Sequence, residues 1–248
     1  MNFSSNPAQR LRDCLLGFAH AALPQTCALC AIPSADSLLC AECAAALPAI
    51  GSSCAVCALP LATGERCGRC LAHPPAYDQT VAAFIYAFPL DRLIQSYKYQ
   101  GLLACAGWFA GAMVAARSDR SMWPVADAMV AVPLAKSRQR ERGFNQALEI
   151  AKVLARRTGI PLQLGAVERT RDAPPQASLP WRERASNVRG AYACVTADAF
   201  AGKRVLVVDD VMTTGASLDE MAKTLKRAGA IHVENWLIAR TLPPLDIA

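Results

Sequence analysis

The architecture of this chain follows from one segment, Val205-Leu-Val-Val-Asp209-Asp210-Val-Met-Thr213-Thr214-Gly215-Ala216-Ser217. Its apolar, mostly β-branched start predicts a buried parallel strand over 204–208. The apolar spacing from Leu218 to Ala228 predicts a helix over 217–229. Between the two elements lie a pair of carboxylates and a short loop of hydroxyl residues and glycine. The segment therefore predicts a strand–loop–helix unit with an unusually polar connection.

The loop has the properties of a phosphate-binding site. Its backbone N–H groups converge at a helix N-terminus, where the helix dipole is positive. Thr213, Thr214 and Ser217 add hydroxyl donors, and Gly215 allows an anion to approach the backbone closely. The two carboxylates before the loop would repel a phosphate, but they suit the hydroxyls of a sugar diol or a bound metal ion. A molecule with both a 5′-phosphate and a free diol is a ribose phosphate.

These residues resemble the signature of type I phosphoribosyltransferases, which bind 5-phosphoribosyl-1-pyrophosphate (PRPP) together with Mg²⁺. The resemblance implies that Asp209 and Asp210 contact the ribose hydroxyls. It also implies that the 5′-phosphate is held by the loop residues Thr213, Thr214, Gly215, Ala216 and Ser217. The motif indicates ribose-phosphate binding more strongly than it indicates catalysis.

A second anion-binding region is predicted after the strand expected at 128–132. Four cations lie there within seven residues, before a helix expected at 144–158: Lys136, Arg138, Arg140 and Arg142. Arginine suits a diphosphate because its guanidinium donates two coplanar hydrogen bonds. The type I resemblance implies that this loop holds the pyrophosphate leaving group. A solvated basic loop and non-specific contact with DNA are the alternatives.

Eight of the eleven cysteines form four Cys-x-x-Cys pairs. A shift of 27 residues maps the first two pairs onto the last two, which gives the set Cys27, Cys30, Cys40, Cys43, Cys54, Cys57, Cys67 and Cys70. Each copy is expected to close one tetrahedral site, so we expect two structural Zn²⁺ ions that contribute to folding. Crossed pairing between the copies, redox dithiols and iron–sulfur sites are the alternatives. Thiolate ligands also predict a reducing compartment, the cytoplasm.

The length of 248 residues predicts one large domain and one small one. The net charge of +6 arises beyond residue 75, because residues 1–75 carry four basic and four acidic side chains. This excess suits a phosphate-rich substrate or nucleic acid.

Residues 1–23 predict a short helix rather than a secretory leader, because Asp13 and His20 interrupt the apolar run. The apolar segment 101–116 reaches about 24 Å, short of a ~30 Å bilayer core, so we expect a buried helix and no membrane insertion.

Strands alternate with helices from residue 77 onward, which predicts an α/β domain with a mainly parallel sheet covered by helices on both faces. This domain is expected over 77–242, after a double zinc ribbon over 24–73. Ligands of such sheets bind at the carboxyl ends of the strands, where Asp209 and the basic loop emerge. The charged segment 168–190 predicts a mobile loop or hairpin. The other predicted elements are strands at 81–88, 161–165 and 231–239, and helices at 90–99 and 102–117.

Several motifs together make the chain resemble the ComF family over residues 24–240. They are the paired ribbons, Tyr97-Lys98-Tyr99-Gln-Gly101, residues 136–146, the stretch from Arg169 to Gly190, and the Asp-Asp-Val-Met-Thr-Thr-Gly loop. The resemblance implies a type I phosphoribosyltransferase-like fold, Mg²⁺ with PRPP, and a role in natural competence and DNA utilisation. It also implies other competence proteins as partners of the ribbons, and single-stranded DNA as a partner of the basic loops.

Two hypotheses about function follow. The first is an enzyme that transfers ribose phosphate from Mg-PRPP to an acceptor. No catalytic base is identified, because Thr213 replaces the Asp of purine-salvage enzymes and Ala135 replaces a His found in many ComF members. The second hypothesis is a non-catalytic sensor of PRPP or nucleotides, or an escort for single-stranded DNA. Residues 27–70 contain no aromatic ring on which a base could stack, so DNA contact is expected from the basic loops alone.

Overall fold

The computed structural model describes residues 26–34, 37–117, 126–170, 188–196 and 198–243. The helix predicted at 1–23 and the central part of the charged segment 168–190 lie outside these residues. The chain divides into two compact units, residues 1–47 and residues 48–248. The second four-cysteine copy therefore belongs to the same compact unit as the sheet.

The two four-cysteine copies repeat one local structure. A one-turn helix begins after the third cysteine of each copy, α1 (Ala41–Ala45) in the first and α2 (Gly68–Ala72) in the second. Each copy also places an alanine in the left-handed region, Ala31 with φ 60° and Ala58 with φ 56°. These two alanines are separated by the same interval as the cysteines, so the sequence repeat is also a structural repeat.

The larger unit is built on a four-stranded sheet formed by β1 (Gln79–Ile85), β2 (Ala128–Ala131), β5 (Arg204–Met212) and β6 (His232–Arg240). A separate antiparallel pair consists of β3 (Val167–Arg169) and β4 (Tyr192–Cys194). The strand order of the sheet is β1-β6-β5-β2, and every neighbouring pair is parallel. The central strands β5 and β6 are mostly buried, as expected where both faces of a sheet are covered.

Helices cover both faces of this sheet, as predicted. They are α3 (Leu90–Tyr99), α4 (Ala104–Ala116), α5 (Lys136–Arg142), α6 (Gln146–Thr158) and α7 (Ala216–Arg227). α4 and α6 pack against each other and on the sheet. α7 packs on the opposite face, where its apolar residues share a buried cluster with Val205 and Val207 of β5. The α/β class with a parallel sheet is confirmed.

Three predicted elements were wrong in detail. A helix, α5, replaces the basic loop, because Lys, Arg, Gln and Glu favour helix and Gly143, with φ 78°, ends it in the left-handed conformation. β5 continues to Met212 rather than ending at 208, since β6 supplies pairing partners as far as Arg240. The strand predicted at 161–165 is reduced to one bridge between Leu162 and Met129.

The apolar segment expected to form a buried helix does so as α4, in which Phe109 and Met113 are fully buried. Within the described ranges, no helix is long and apolar enough to cross a membrane.

Candidate functional site

A cleft of about 390 Å³ opens at the carboxyl ends of the four parallel strands. The segment that follows each strand supplies part of its wall: Tyr86 after β1, residues 132–135 after β2, residues 213–217 after β5, and Thr241 after β6. The carboxyl ends of parallel strands meet at one edge of the sheet, where such folds bind their ligands.

The two predicted acids, Asp209 and Asp210, both line this cleft. Neighbouring residues of a strand point to opposite faces, so the acids meet different partners. Asp210 Oδ2 lies 2.6 Å from Lys98 Nζ, and both side chains are mostly buried. Asp209 shares its part of the cleft with Arg169 and Tyr192, which interact with it electrostatically. Each carboxylate also accepts a hydrogen bond from the backbone N–H of the next residue, at 2.8 Å and 2.6 Å.

These different surroundings separate the pKa values of the two acids. Burial raises the pKa of Asp209 to about 7, and the nearby carboxylate of Asp210 adds to the rise. Burial acts on Asp210 in the same sense, but the charge of Lys98 and its hydrogen bond outweigh burial and lower the pKa of Asp210. Near neutral pH the pair therefore carries between one and two negative charges, with Asp210 the ionised member.

The predicted phosphate loop turns at Gly215, a position that favours glycine. Gly215 has φ +85°, and a Cβ built on it would lie 2.5 Å from Cε of Met212 and 3.0 Å from Oη of Tyr77. Thr214 Oγ1 accepts a hydrogen bond from the N–H of Ala216 at 3.3 Å, where α7 begins. The first N–H groups of a helix have no partner within the helix, which makes helix N-termini favourable positions for an anion. Here the first of them, that of Ala216, is bonded within the loop. All five predicted loop residues line the cleft: Thr213, Thr214, Gly215, Ala216 and Ser217.

The structure brings two of the four predicted cations to the site. Arg138 and Arg142 are four residues apart on α5, so they share one side of it and line the cleft. Lys136 and Arg140 are not among the cleft-lining residues, because they lie about 200° around the helix from Arg138. Arg140 instead donates from Nε to the carbonyl of Lys136 at 3.4 Å.

The guanidinium of Arg142 is oriented by three contacts. It donates from Nη1 to Oε1 of Gln146 at 2.9 Å and from Nη2 to Oη of Tyr99 at 3.2 Å. The guanidinium carbon also lies 5.1 Å from the centroid of the Tyr99 ring. Since Gln146 is itself buried at the start of α6, a ligand would meet an arginine that is already positioned.

Four cleft residues that interact with the two acids or with Arg142 are not among the predicted site residues: Lys98, Tyr99, Arg169 and Tyr192. Lys98 and Tyr99 lie at the end of α3, in a stretch that carries the ComF resemblance. Arg169 of β3 and Tyr192 of β4 form a stacked pair, with the guanidinium carbon 5.9 Å from the ring centroid. The resemblance was the available signal for three of them, but it does not say which residues of a motif reach the cleft.

The eight predicted metal ligands form two clusters, and each cluster draws its four cysteines from one copy. The Sγ atoms within a cluster all lie within 4.8 Å of one another. The Sγ–Sγ distance is 3.7 Å for Cys30 and Cys40, and 3.6 Å for Cys57 and Cys67. A tetrahedron with metal–sulfur bonds of about 2.3 Å has an edge of about 3.8 Å. Both clusters therefore fit one Zn²⁺ each, with ligands paired within a copy rather than crossed.

Comparison with known proteins defines the class to which this fold and cleft belong. The Double zinc ribbon domain matches residues 18–71, and the Phosphoribosyl transferase domain matches residues 145–239. The chain is thus a double zinc ribbon joined to a phosphoribosyltransferase fold.

Two relatives show the family. The chain is 32% identical over 168 residues to Competence protein F of Haemophilus influenzae. The aligned region covers 66% of this chain and 73% of that protein. It is 33% identical over 171 residues to DNA utilization protein YhgH of Escherichia coli K12, which covers 67% of this chain and 74% of that protein. The chain belongs to the ComF family, which includes these proteins, as its motifs predicted.

A solved structure described as the allosteric regulatory enzyme of purine biosynthesis is also similar, with 25% sequence identity and a TM-score of 0.34. The match covers 53% of this chain, which spans a quarter (25%) of that enzyme chain.

We predict that the purified protein contains two Zn²⁺ per chain. Cys30→Ser and Cys57→Ser each remove one thiolate from one cluster, so each variant is expected to retain about one equivalent. Elemental analysis by mass spectrometry measures this directly. Cys194→Ser changes a half-buried thiol outside both clusters and should leave two equivalents bound. A wild-type protein with a single zinc ion would contradict the assignment.

We predict that Asp209→Asn stabilises the protein more at pH 8 than at pH 5, with a difference in the free energy of unfolding of roughly 2–3 kcal/mol between the two pH values. The pKa of Asp209 is about 7 in the fold, against about 4 for an ordinary Asp in an unfolded chain. Between about pH 4 and pH 7 residue 209 ionises in the unfolded chain but not in the folded one, so the wild type loses stability as the pH rises. Asparagine does not ionise, so the Asp209→Asn variant does not lose this stability. Urea unfolding at the two pH values tests it.

Asp210→Asn is the matched contrast in that experiment. It removes the charge that pairs with Lys98, so this substitution should lower stability at pH 8. Equal effects of Asp209→Asn at both pH values would show that the Asp209 carboxyl is not held in its neutral form.

Proposed function

We propose that this protein binds Mg-PRPP in the cleft and transfers its phosphoribosyl group as part of bacterial DNA utilisation. One observation carries the proposal. A glycine-turned phosphate loop, two adjacent carboxylates and two arginines lie in a single cleft at the carboxyl ends of the strands. The loop suits the 5′-phosphate of PRPP, the carboxylates suit its ribose hydroxyls, and the arginines suit its diphosphate. Because PRPP carries all three groups in one molecule, one ligand could contact all three parts of the cleft.

The phosphate loop is the proposed site of the 5′-phosphate. Backbone N–H groups and the hydroxyls of Thr213, Thr214 and Ser217 are donors, which a phosphate dianion requires. The carboxylates of Asp209 and Asp210 are acceptors, which the ribose 2′- and 3′-hydroxyls require. Carboxylate oxygens are also the ligands that Mg²⁺ prefers, so the same pair fits a metal ion that accompanies the diphosphate.

Arg138 and Arg142 are the proposed partners of the diphosphate. In the transfer, the bond between C1 of the ribose and the diphosphate oxygen breaks, and the diphosphate leaves with the electron pair. The acceptor forms a new bond to C1 and loses a proton. Negative charge grows on the leaving group, so cations fixed before the reaction lower the barrier.

The biological role is proposed from the relatives. Two proteins of the family are named for competence and for DNA utilisation, and we propose the same role for this chain. Eight thiolate ligands favour a reducing compartment, so we place the protein in the cytoplasm.

Contact with single-stranded DNA is a second candidate function. Lys136 and Arg140 are exposed and lie on the side of α5 away from the cleft-lining arginines. Cations in such positions suit the phosphates of a nucleic acid rather than a ligand inside the cleft.

We predict that Arg138→Ala weakens the binding of Mg-PRPP roughly tenfold or more, because charge-assisted hydrogen bonds to phosphate are lost. Isothermal titration calorimetry of the zinc-loaded protein measures this. Arg140→Ala removes the same charge from the same helix outside the cleft, so its affinity should stay within about twofold of the wild type. Failure of the wild type to bind Mg-PRPP would reject the proposal.

Two further measurements distinguish an enzyme from a sensor and test the contact with DNA. Pyrophosphate release from PRPP that is lost in Arg138→Ala indicates transfer, whereas tight binding without release indicates a sensor. Loss of single-stranded DNA binding in Arg140→Ala, with PRPP binding retained, would support the second candidate.

A further inference from the structure

The second four-cysteine unit, residues 54–70, is connected to the phosphate loop by side-chain hydrogen bonds. The principal connection is Arg240, the last residue of β6, whose side chain is 1% exposed. It donates from Nε to the carbonyl of Cys57 at 2.9 Å. From Nη1 it donates to the carbonyls of Met212 at 3.0 Å and of Thr213, and to that of Thr241 at 2.6 Å. One buried guanidinium thus joins a metal-ligand residue to the start of the phosphate loop.

A second arginine makes an independent connection. Arg69 lies on α2, between the ligand residues Cys67 and Cys70, and donates from Nη2 to the carbonyl of Thr214 at 2.8 Å. Metal binding by the two flanking thiolates would therefore fix the position from which this side chain reaches the loop.

Packing and a backbone hydrogen bond complete the attachment. Oη of Tyr77 lies 3.0 Å from the point that a Cβ on Gly215 would occupy, so its hydroxyl lies close to the turn of the loop. The N–H of Ala76 donates to Oδ1 of Asp219 in the first turn of α7 at 2.7 Å. Cys54, Cys57, Cys70 and Tyr77 lie in the same buried cluster as Met212 and Leu218.

These contacts set the direction of the donors of the loop. A trans peptide is planar, so its C=O and the N–H of the next residue point in opposite directions. The carbonyls of Met212, Thr213 and Thr214 are held toward the two arginines. The N–H groups of the residues that follow, Thr213 to Gly215, are therefore turned away from the arginines. Three consecutive N–H groups held in this way form the kind of concave site that binds a phosphate.

We propose that the second four-cysteine unit is part of the phosphate site, with Arg69 and Arg240 as positioning residues that orient the peptide groups of the loop. Loss of metal from this unit then weakens the binding of a sugar 5′-phosphate, although no cysteine contacts the ligand. The inference rests on the proposed function only for the identity of the ligand.

The ¹H–¹⁵N heteronuclear NOE of the ligand-free protein tests the orientation without any ligand, because it measures how rigidly each N–H is held. Cys57→Ser/Cys67→Ser should lower the NOE of the amides at 213–217. The same double substitution in the first cluster, Cys30→Ser/Cys40→Ser, is the matched control and should leave these NOE values at the wild-type level. Wild-type NOE values in the loop of Cys57→Ser/Cys67→Ser would overturn the proposal.

Arg69→Ala keeps all eight thiolates and changes an exposed side chain, so it tests the same connection without loss of metal. It should lower the heteronuclear NOE of the amides at 213–217 and weaken the binding of ribose 5-phosphate roughly tenfold, with Tm and zinc content unchanged. Arg66→Ala, an exposed arginine of the same unit, should bind as the wild type does. Arg69→Lys should recover part of the affinity, because it restores a charged donor.

The outcomes distinguish a failure of the proposed function from a failure of the positioning role of Arg69. If the wild type fails to bind ribose 5-phosphate, the proposed function fails, and the NOE data alone decide the positioning role. If the wild type binds and Arg69→Ala matches it in both affinity and NOE, the positioning role is wrong.

Discussion

A phosphate site made of backbone N–H groups works only if consecutive peptide planes are held at the same orientation. The loop at 213–217 cannot achieve this alone, since a five-residue turn has few internal contacts. Arg240 and Arg69 bind three successive carbonyls behind the loop, and β5 brings the loop to the open end of the sheet. In the proposed function, the other groups of the cleft depend on this loop being fixed.

The two acids of the cleft have different cationic neighbours. Asp210 is paired with Lys98 on one face of the sheet, whereas Asp209 lies toward the other face near Arg169 and Tyr192. Burial raises the pKa of Asp209 to about 7, so a ligand or metal that favours the carboxylate shifts the protonation of Asp209 at neutral pH. Arg142 is oriented by Tyr99 and Gln146 before any ligand arrives.

Much of this could be predicted from local sequence. The run of β-branched residues before Asp209 indicated the central strand, and the interval between the cysteines indicated two metal clusters. The helix α5 was missed because a row of cations suits both a solvated loop and a short helix, and Gly143 was not recognised as its end. Arg240 could not have been found, because its role depends on contacts with Cys57, which lies 183 residues away. Lys98 and Tyr192 likewise reach the acids only through the packing of distant elements.

The most direct test is the set of ¹H–¹⁵N chemical-shift changes when ribose 5-phosphate is added to the zinc-loaded protein. The account predicts that the largest downfield shifts are those of the amides of 213–217, with smaller changes at Asp209 and Asp210. Shifts confined to α5 or to the ribbon residues, with the loop amides unmoved, would contradict it.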